Sequence, residues 1–304
     1  MNEARQKGTK TRPSWRQRAG RMTFKLGRAT LIGYLLVVLL FFFNQTSLVF
    51  PGRMSQGKAY AKINVVPAHA ELIDLKTADS VPIKALFGQA LAADGSVRPD
   101  AAQRPTIVFF YGNGAYLAGY ADLLQDFQRM GANCLIPEFV GFGLSGGTPS
   151  EAGCYATAEA AYAWLDARPD VDMTKLIYIG QSLGGGTAVD LAVKHPSAGL
   201  AMLTAFTSLT DMGRNLYPFL PINWMLQHRF ENREKIAQVR CPTLIAHGTD
   251  DEIVPYAMSL ELKAAAGGPV THVSVPGARH NDFLDVGQKP VMGAIQKLVD
   301  KAAK

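Results

Sequence analysis

The stretch that most constrains this chain is Leu176-Ile177-Tyr178-Ile179-Gly180-Gln181-Ser182-Leu183-Gly184-Gly185-Gly186-Thr187. Residues 176–179 are apolar and mostly β-favouring, as in a short buried strand. Small and apolar residues at helical spacing follow over 187–194. Between them, Gly180-Gln181-Ser182-Leu183-Gly184 forms a Gly-x-Ser-x-Gly sequence. A strand that turns sharply into a helix presents the serine hydroxyl at the tip of the turn. The flanking glycines must then lack side chains, so that strand and helix can approach. The Leu183 N–H, at the start of the helix, would point at a developing oxyanion. The pentapeptide alone is a common turn sequence; its flanks make it a nucleophile candidate.

The surrounding pattern supplies a scaffold for that turn. Strand-like runs fall at 71–75, 83–87, 106–110, 133–136, 176–179, 200–204, 243–246 and 271–275. Helical runs at 121–130, 152–167, 182–194, 256–266 and 291–301 alternate with the later strands. Such alternation predicts an α/β fold, a mostly parallel eight-stranded sheet with helices on both faces. The 304 residues suffice for one large core. The first two runs, around Ala78-Asp79-Ser80, read as a hairpin. Residues 209–236 interrupt the rhythm with an aromatic, proline-rich insertion that includes Tyr217, Phe219 and Trp224. It is either a helical excursion packed on the core or a small lid bordering an apolar pocket, with those aromatics against a substrate.

The formal charge of +6 belongs to one end of the chain. Residues 1–30 carry nine Lys or Arg and a single acid, Glu3, whereas the remainder has a net charge of −2. A basic nucleic-acid face on the folded body is therefore not expected. Thirteen residues without charge, 31–43, follow the basic segment, and the uncharged run reaches Phe50. Three readings compete. A cleaved signal peptide would use Ala59-Tyr60-Ala61, which lies far downstream of the apolar run. A buried soluble helix fits poorly with so many flanking cations. A signal anchor fits length and flanking charge together. The expected organisation is a basic cytoplasmic tail (1–30), a transmembrane helix (31–50), a linker (51–70) and a catalytic body (71–304) on the outer side. The three cysteines, Cys134, Cys154 and Cys241, read as buried thiols without a disulfide or metal.

A serine needs a base, and the base needs a carboxylate to hold it. In α/β sheets such groups gather just past strand ends. The strand at 243–246 ends in His247-Gly248-Thr249-Asp250-Asp251-Glu252, and the last strand in Pro276-Gly277-Ala278-Arg279-His280-Asn281-Asp282. Among six histidines, His280 follows the last strand in a glycine-containing loop, which makes it the candidate base. Spacing alone does not separate Asp250 from Asp251. A second oxyanion donor is expected from Tyr111-Gly112-Asn113-Gly114-Ala115, with Asn113 or Gly114 supplying the N–H.

Taken together, residues 105–290 resemble the α/β-hydrolase superfamily, close to its membrane-anchored, serine aminopeptidase-like branch. Phe110-Tyr111-Gly112-Asn113-Gly114 is similar to the family's oxyanion loop, and residues 138–147 to its Asp-Tyr-Arg-Gly-Tyr-Gly loop. Ile179-Gly180-Gln181-Ser182-Leu183-Gly184 is similar to its elbow. His247-Gly248-Thr249-Asp250-Asp251-Glu252-Ile253-Val254-Pro255 aligns the family's aspartate with Asp251, and 277–282 resembles its histidine loop. The resemblance implies a triad of Ser182, Asp251 and His280, an oxyanion hole of Leu183 with Asn113 or Gly114, and no metal or organic cofactor. It implies hydrolysis of small-molecule or lipid acyl esters or thioesters through an acyl-enzyme. Two departures stand out. Tyr111 replaces a histidine, which bears on the polarity of the acyl pocket, and Glu138-Phe139-Val140 replaces Asp-Tyr-Arg, removing a cation that supports the loops. A peptidase would need an acidic subsite, for which Glu138 is the candidate. A non-catalytic anchored binding module is the reading from another class.

Overall fold

The computed structural model describes residues 15–304, apart from the side chains at 17, 18 and 20. Its contacts divide it into two units, with the boundary between Asn44 and Gln45. The first is dominated by helix α1 (Trp15–Val49), within which Arg21–Val49 is long and apolar enough to cross a membrane. Leu31, Leu36, Leu40 and Phe43 are exposed along it. Residues 1–14 of the expected basic tail lie outside the described residues, and 15–30 are helical. Their Arg, Lys, Ala, Met and Leu side chains are good helix formers, so the helix runs back beyond its apolar part.

The second unit is built on one eight-stranded sheet. Its strands are β1 (Ala70–Lys76), β2 (Pro82–Gly88), β3 (Thr106–Phe110), β4 (Asn133–Pro137), β5 (Leu176–Gln181), β6 (Gly199–Leu203), β7 (Thr243–Gly248) and β8 (Val270–Val275). The order across the sheet is β1-β2-β4-β3-β5-β6-β7-β8. β1 and β2 form the antiparallel hairpin and join β4 antiparallel; the remaining neighbours are parallel. Every residue of β3, β4, β6 and β7 is buried, as expected for parallel strands covered on both faces.

The covering helices are α2 (Ala121–Arg129), α3 (Glu151–Asp166), α4 (Leu183–Lys194), α8 (Tyr256–Ala265) and α10 (Gln288–Ala302). α3 and α4 pack together, whereas α10 reaches the end of α2 through Gln296 Nε2 and the Met130 carbonyl at 3.2 Å. Short helices α5 (Leu209–Leu216), α6 (Ile222–Met225) and α7 (Asn232–Ile236) make up the excursion between β6 and β7, and α9 (Phe283–Val286) precedes α10. Each predicted strand and helix is present, with ends shifted by up to three residues. The strand order reverses direction after β4, so β3 and β5 meet at the switch point where α/β sheets place ligands.

The expected linker, 51–70, is folded onto the second unit. Phe50 and Ala61 are fully buried, and Gly52 and Ser55 are buried with them. Cys134 and Cys154 are buried free thiols, and burial pushes both up in pKa. Cys241 is half-buried, within 3.4 Å of the Ser197 hydroxyl.

Candidate active site

The serine turn has the geometry its sequence requires. Ser182 sits between β5 and α4 with φ 52° and ψ −116°, a conformation that a side chain adopts only under constraint. The constraint is close packing beneath it. A Cβ on Gly180 would lie 2.1 Å from the Gly184 carbonyl oxygen, and one on Gly184 would lie 2.0 Å from that of Phe110. Any other residue at either position would force strand and helix apart. The Ser182 N–H donates to the Leu203 carbonyl on β6 at 2.8 Å, anchoring the turn.

His280 Nε2 lies 3.0 Å from Ser182 Oγ, and His280 Nδ1 lies 2.7 Å from Asp251 Oδ2. A carboxylate only accepts, so the proton belongs on Nδ1 and the lone pair on Nε2 faces the serine hydroxyl. All three residues are largely buried. Burial alone would raise the Asp251 carboxyl. Hydrogen bonds from His247 and His280, the charge that His280 carries when protonated, and the Val254 N–H outweigh it and hold the group well below the usual carboxylate range. Asp251 Oδ1 also accepts from Ile253 N–H at 3.0 Å and Val254 N–H at 2.7 Å. Asp250 stands outside this network, exposed, with Thr249 Oγ1 donating to its Oδ1 at 2.8 Å. Geometry therefore separates the two aspartates that spacing could not.

His247 joins this network. It is fully buried, and its Nε2 lies 2.9 Å from the Val254 carbonyl and 3.1 Å from Asp251 Oδ2. Because both partners accept, Nε2 carries the proton and steadies the same Asp251 oxygen, Oδ2, that His280 meets. The sequence signal was present: His247 and Asp251 are four residues apart at a strand end.

Ser182 and His280 open into a cleft of ≈ 350 Å³. One wall is residues 112–115 with Tyr120; the other is apolar, formed by Phe206, Leu209, Met212, Ile253 and Val254. Asn113 and Gly114 thus stand in that wall. Leu183 opens α4, whose first N–H groups have no intrahelical acceptor. Burial pushes the Tyr120 hydroxyl up to about 12, partly offset by the Gly112 N–H, so Tyr120 stays a neutral wall residue.

The expected substrate-contacting aromatics do not line this cleft. Tyr111 lies behind the wall, fully buried, stacked on Tyr120 at 5.2 Å and hydrogen-bonded to Glu138 at 3.3 Å. From the excursion only α5 reaches the cleft, through Leu209 and Met212. Pro218 and Pro221 end α5 and turn the chain away. Ile222 and Met225, three apart, take the buried side of α6, which leaves Trp224 on the opposite side and 92% exposed. Phe219 is exposed and Tyr217 half-buried, both outside the cleft.

Glu138 is likewise no subsite. It is completely buried and accepts from Leu117 N–H at 2.8 Å, Leu144 N–H at 2.7 Å and the Tyr111 hydroxyl. Burial raises its pKa, although those three donors oppose the shift. The loops that the missing arginine was expected to support are tied instead by this carboxylate.

A strand-borne serine elbow on a mostly parallel sheet, with histidine and aspartate past later strand ends, defines an α/β hydrolase. The family model for the alpha/beta hydrolase fold matches residues 105–227. An uncharacterized protein of Mycobacterium tuberculosis is 37% identical over 199 residues, covering 66% of this chain and 71% of the relative. The Arabidopsis thaliana alpha/beta hydrolase domain-containing protein WAV2 is 29% identical over 269 residues, covering 81% and 84%. Among solved structures, the Pyrococcus furiosus esterase PF2001 superposes with a TM-score of 0.63 at 16% identity, covering 77% of this chain and 91% of that one. This chain belongs to the alpha/beta hydrolase superfamily.

Proposed function

We propose that the protein is a serine esterase that cleaves carboxyl esters or thioesters through an acyl-enzyme on Ser182. The observation that carries this reading is the relay Ser182–His280–Asp251, at 3.0 and 2.7 Å, opening into a cleft with one apolar wall. His280 Nε2 takes the Ser182 proton as Oγ attacks the acyl carbon. The oxyanion that forms is met by the Leu183 N–H and by the N–H of Asn113 or Gly114. His280 then returns the proton to the leaving alkoxide or thiolate. Water repeats the sequence in reverse, releasing the acid and restoring the serine. Asp251 keeps Nδ1 protonated throughout. Ser182→Ala is expected to abolish ester turnover while the far-UV spectrum is unchanged; retained turnover would remove Ser182 from this role.

The apolar wall favours an apolar or lipid-like acyl part, at about 25 cal/mol per Å² buried. Met212→Ser should raise KM for a long-chain ester several-fold while Trp224→Ala leaves it unchanged; the opposite ranking would place the acyl chain elsewhere. The peptidase alternative finds no support in the cleft, in whose lining, among the described residues, there is no Asp or Glu. A non-catalytic module would not need the relay, and turnover decides between them. The basic residues before the apolar helix favour a signal anchor with its N-terminus in the cytoplasm and its catalytic unit outside. Protease digestion of intact cells tests that orientation: a shielded catalytic unit would reverse it.

A further inference from the structure

The residues where the chain leaves the apolar helix are bound to the cleft wall itself. Gly52 N–H donates to the Asn113 carbonyl at 2.8 Å, and Asn113 Nδ2 donates to the Val49 carbonyl at 3.0 Å. Both ends of Asn113, backbone and side chain, are therefore tied to residues 49–52. No slack remains in this contact: a Cβ on Gly52 would lie 2.7 Å from the Asn113 carbonyl oxygen and 2.3 Å from the Phe142 ring. The exit segment is itself held firmly. Phe50 is fully buried, with its ring at 5.0 Å from His228. Ser55 Oγ accepts from Gly143 N–H at 2.9 Å, Gly57 N–H donates to the Gly143 carbonyl at 2.8 Å, and Gln56 Nε2 donates to Ser145 and Gly147 carbonyls at 2.9 and 3.0 Å. By contrast, the wall's own internal bond, Ala115 N–H to the Gly112 carbonyl, is long at 3.3 Å.

We propose that residues 49–57 are a positioning element for the oxyanion loop, acting through Asn113, so that acyl transfer requires this segment to be seated. The inference rests on the reading of Ser182 as nucleophile and adds a control to that site. A glycine-flanked loop has many backbone orientations, and an oxyanion hole works only when its N–H groups are already aimed. The bonds from Gly52 and to Val49 select one orientation. Cleavage after Ala59-Tyr60-Ala61 would remove the element and leave the triad intact but poorly served.

The test uses the full-length chain in detergent or vesicles. Asn113→Ala keeps the backbone N–H but loses the bond to Val49; Gly52→Ala pushes on the Asn113 carbonyl. Each is expected to lower kcat at least roughly tenfold, with KM within about twofold, because misplacement by about 1 Å can cost on the order of 10². Affinity for a trifluoromethyl ketone, whose adduct carries the same oxyanion, should fall by a similar factor. The double variant should be no worse than the weaker single, since both act on one thing, the seating of Asn113. A role confined to folding would lower the folded fraction and leave kcat per folded molecule and ketone affinity unchanged. That result, or full kcat in Asn113→Ala, overturns the proposal. Multiplicative losses in the double variant overturn it too. If Ser182→Ala itself remains active, the reading of the nucleophile fails instead.

Discussion

Two buried carboxylates flank the serine, each following a strand two places from β5, on opposite sides. Glu138 follows β4 and Asp251 follows β7. Asp251 receives two histidine nitrogens and two backbone N–H groups, and its pKa is held down despite burial. Glu138 receives two N–H groups and a phenol, no cation, and its pKa is raised. The difference lies in what the partners can become. Histidine can take a proton during a reaction, so a carboxylate beside it stabilises that charge. Amides and a phenol cannot, so the carboxylate beside them only holds loops. Burial of a charge is thus no guide to its role; the partners are.

The comparison is sharpest when each carboxylate is removed. Asp251→Asn should lower kcat by roughly 10⁴, as loss of the orienting carboxylate does in a serine triad. Asp250→Asn, at the exposed neighbour, should stay within about twofold. Steady-state kinetics on a soluble ester measures both, and equal losses would erase the distinction between them. Glu138→Ala should act first on stability. It strands two buried N–H groups and a phenol, at about 1–3 kcal/mol for each unsatisfied group. Urea denaturation should show a loss of at least about 2 kcal/mol, larger than for Asp251→Asn. A large kcat loss in Glu138→Ala with unchanged stability would assign it a chemical role.

Sequence reading went far where chemistry is local and failed where it is not. The Gly-x-Ser-x-Gly turn was legible because the strand, the glycines and the helix all lie within a dozen residues. His280 was legible because it follows the last strand. Spacing alone did not separate Asp250 from Asp251, which only the family resemblance assigned, since which side chain faces His280 depends on hydrogen bonds with Ile253 and Val254. Residues 51–70 looked like a linker because their partners are remote: Ser55 meets Gly143 across 88 positions and Gln56 meets Ser145 across 89. Trp224 looked like an acyl contact because aromatics cluster in 209–236, but composition carries no direction once Pro218 and Pro221 have turned the chain.

The smallest expected effect is on pH dependence, and the two carboxylates pull it in opposite directions. Glu138 has a raised folded pKa, so its contribution is fully present below about 4.3, the unfolded glutamate value, and is lost as pH rises through the folded value. Asp251 has a depressed folded pKa, so its contribution is present above about 3.9 and lost as pH falls through the folded value. Denaturation of Glu138→Gln across mildly acidic pH should show a slope of stability against pH more positive than in the unaltered protein. In Asp251→Asn the acid-side loss should shrink. Unchanged slopes in both would mean that neither group differs between folded and unfolded chains.

The most direct test of the reading is where an acyl-type electrophile lands. The full-length protein treated with a fluorophosphonate, digested and analysed by mass spectrometry, should carry one adduct per chain on the peptide containing Ser182. Asp251→Asn should slow that labelling and Asp250→Asn should not. An adduct on another residue, or labelling of Ser182 at the same rate in Asp251→Asn, would contradict a nucleophile activated through His280 and Asp251.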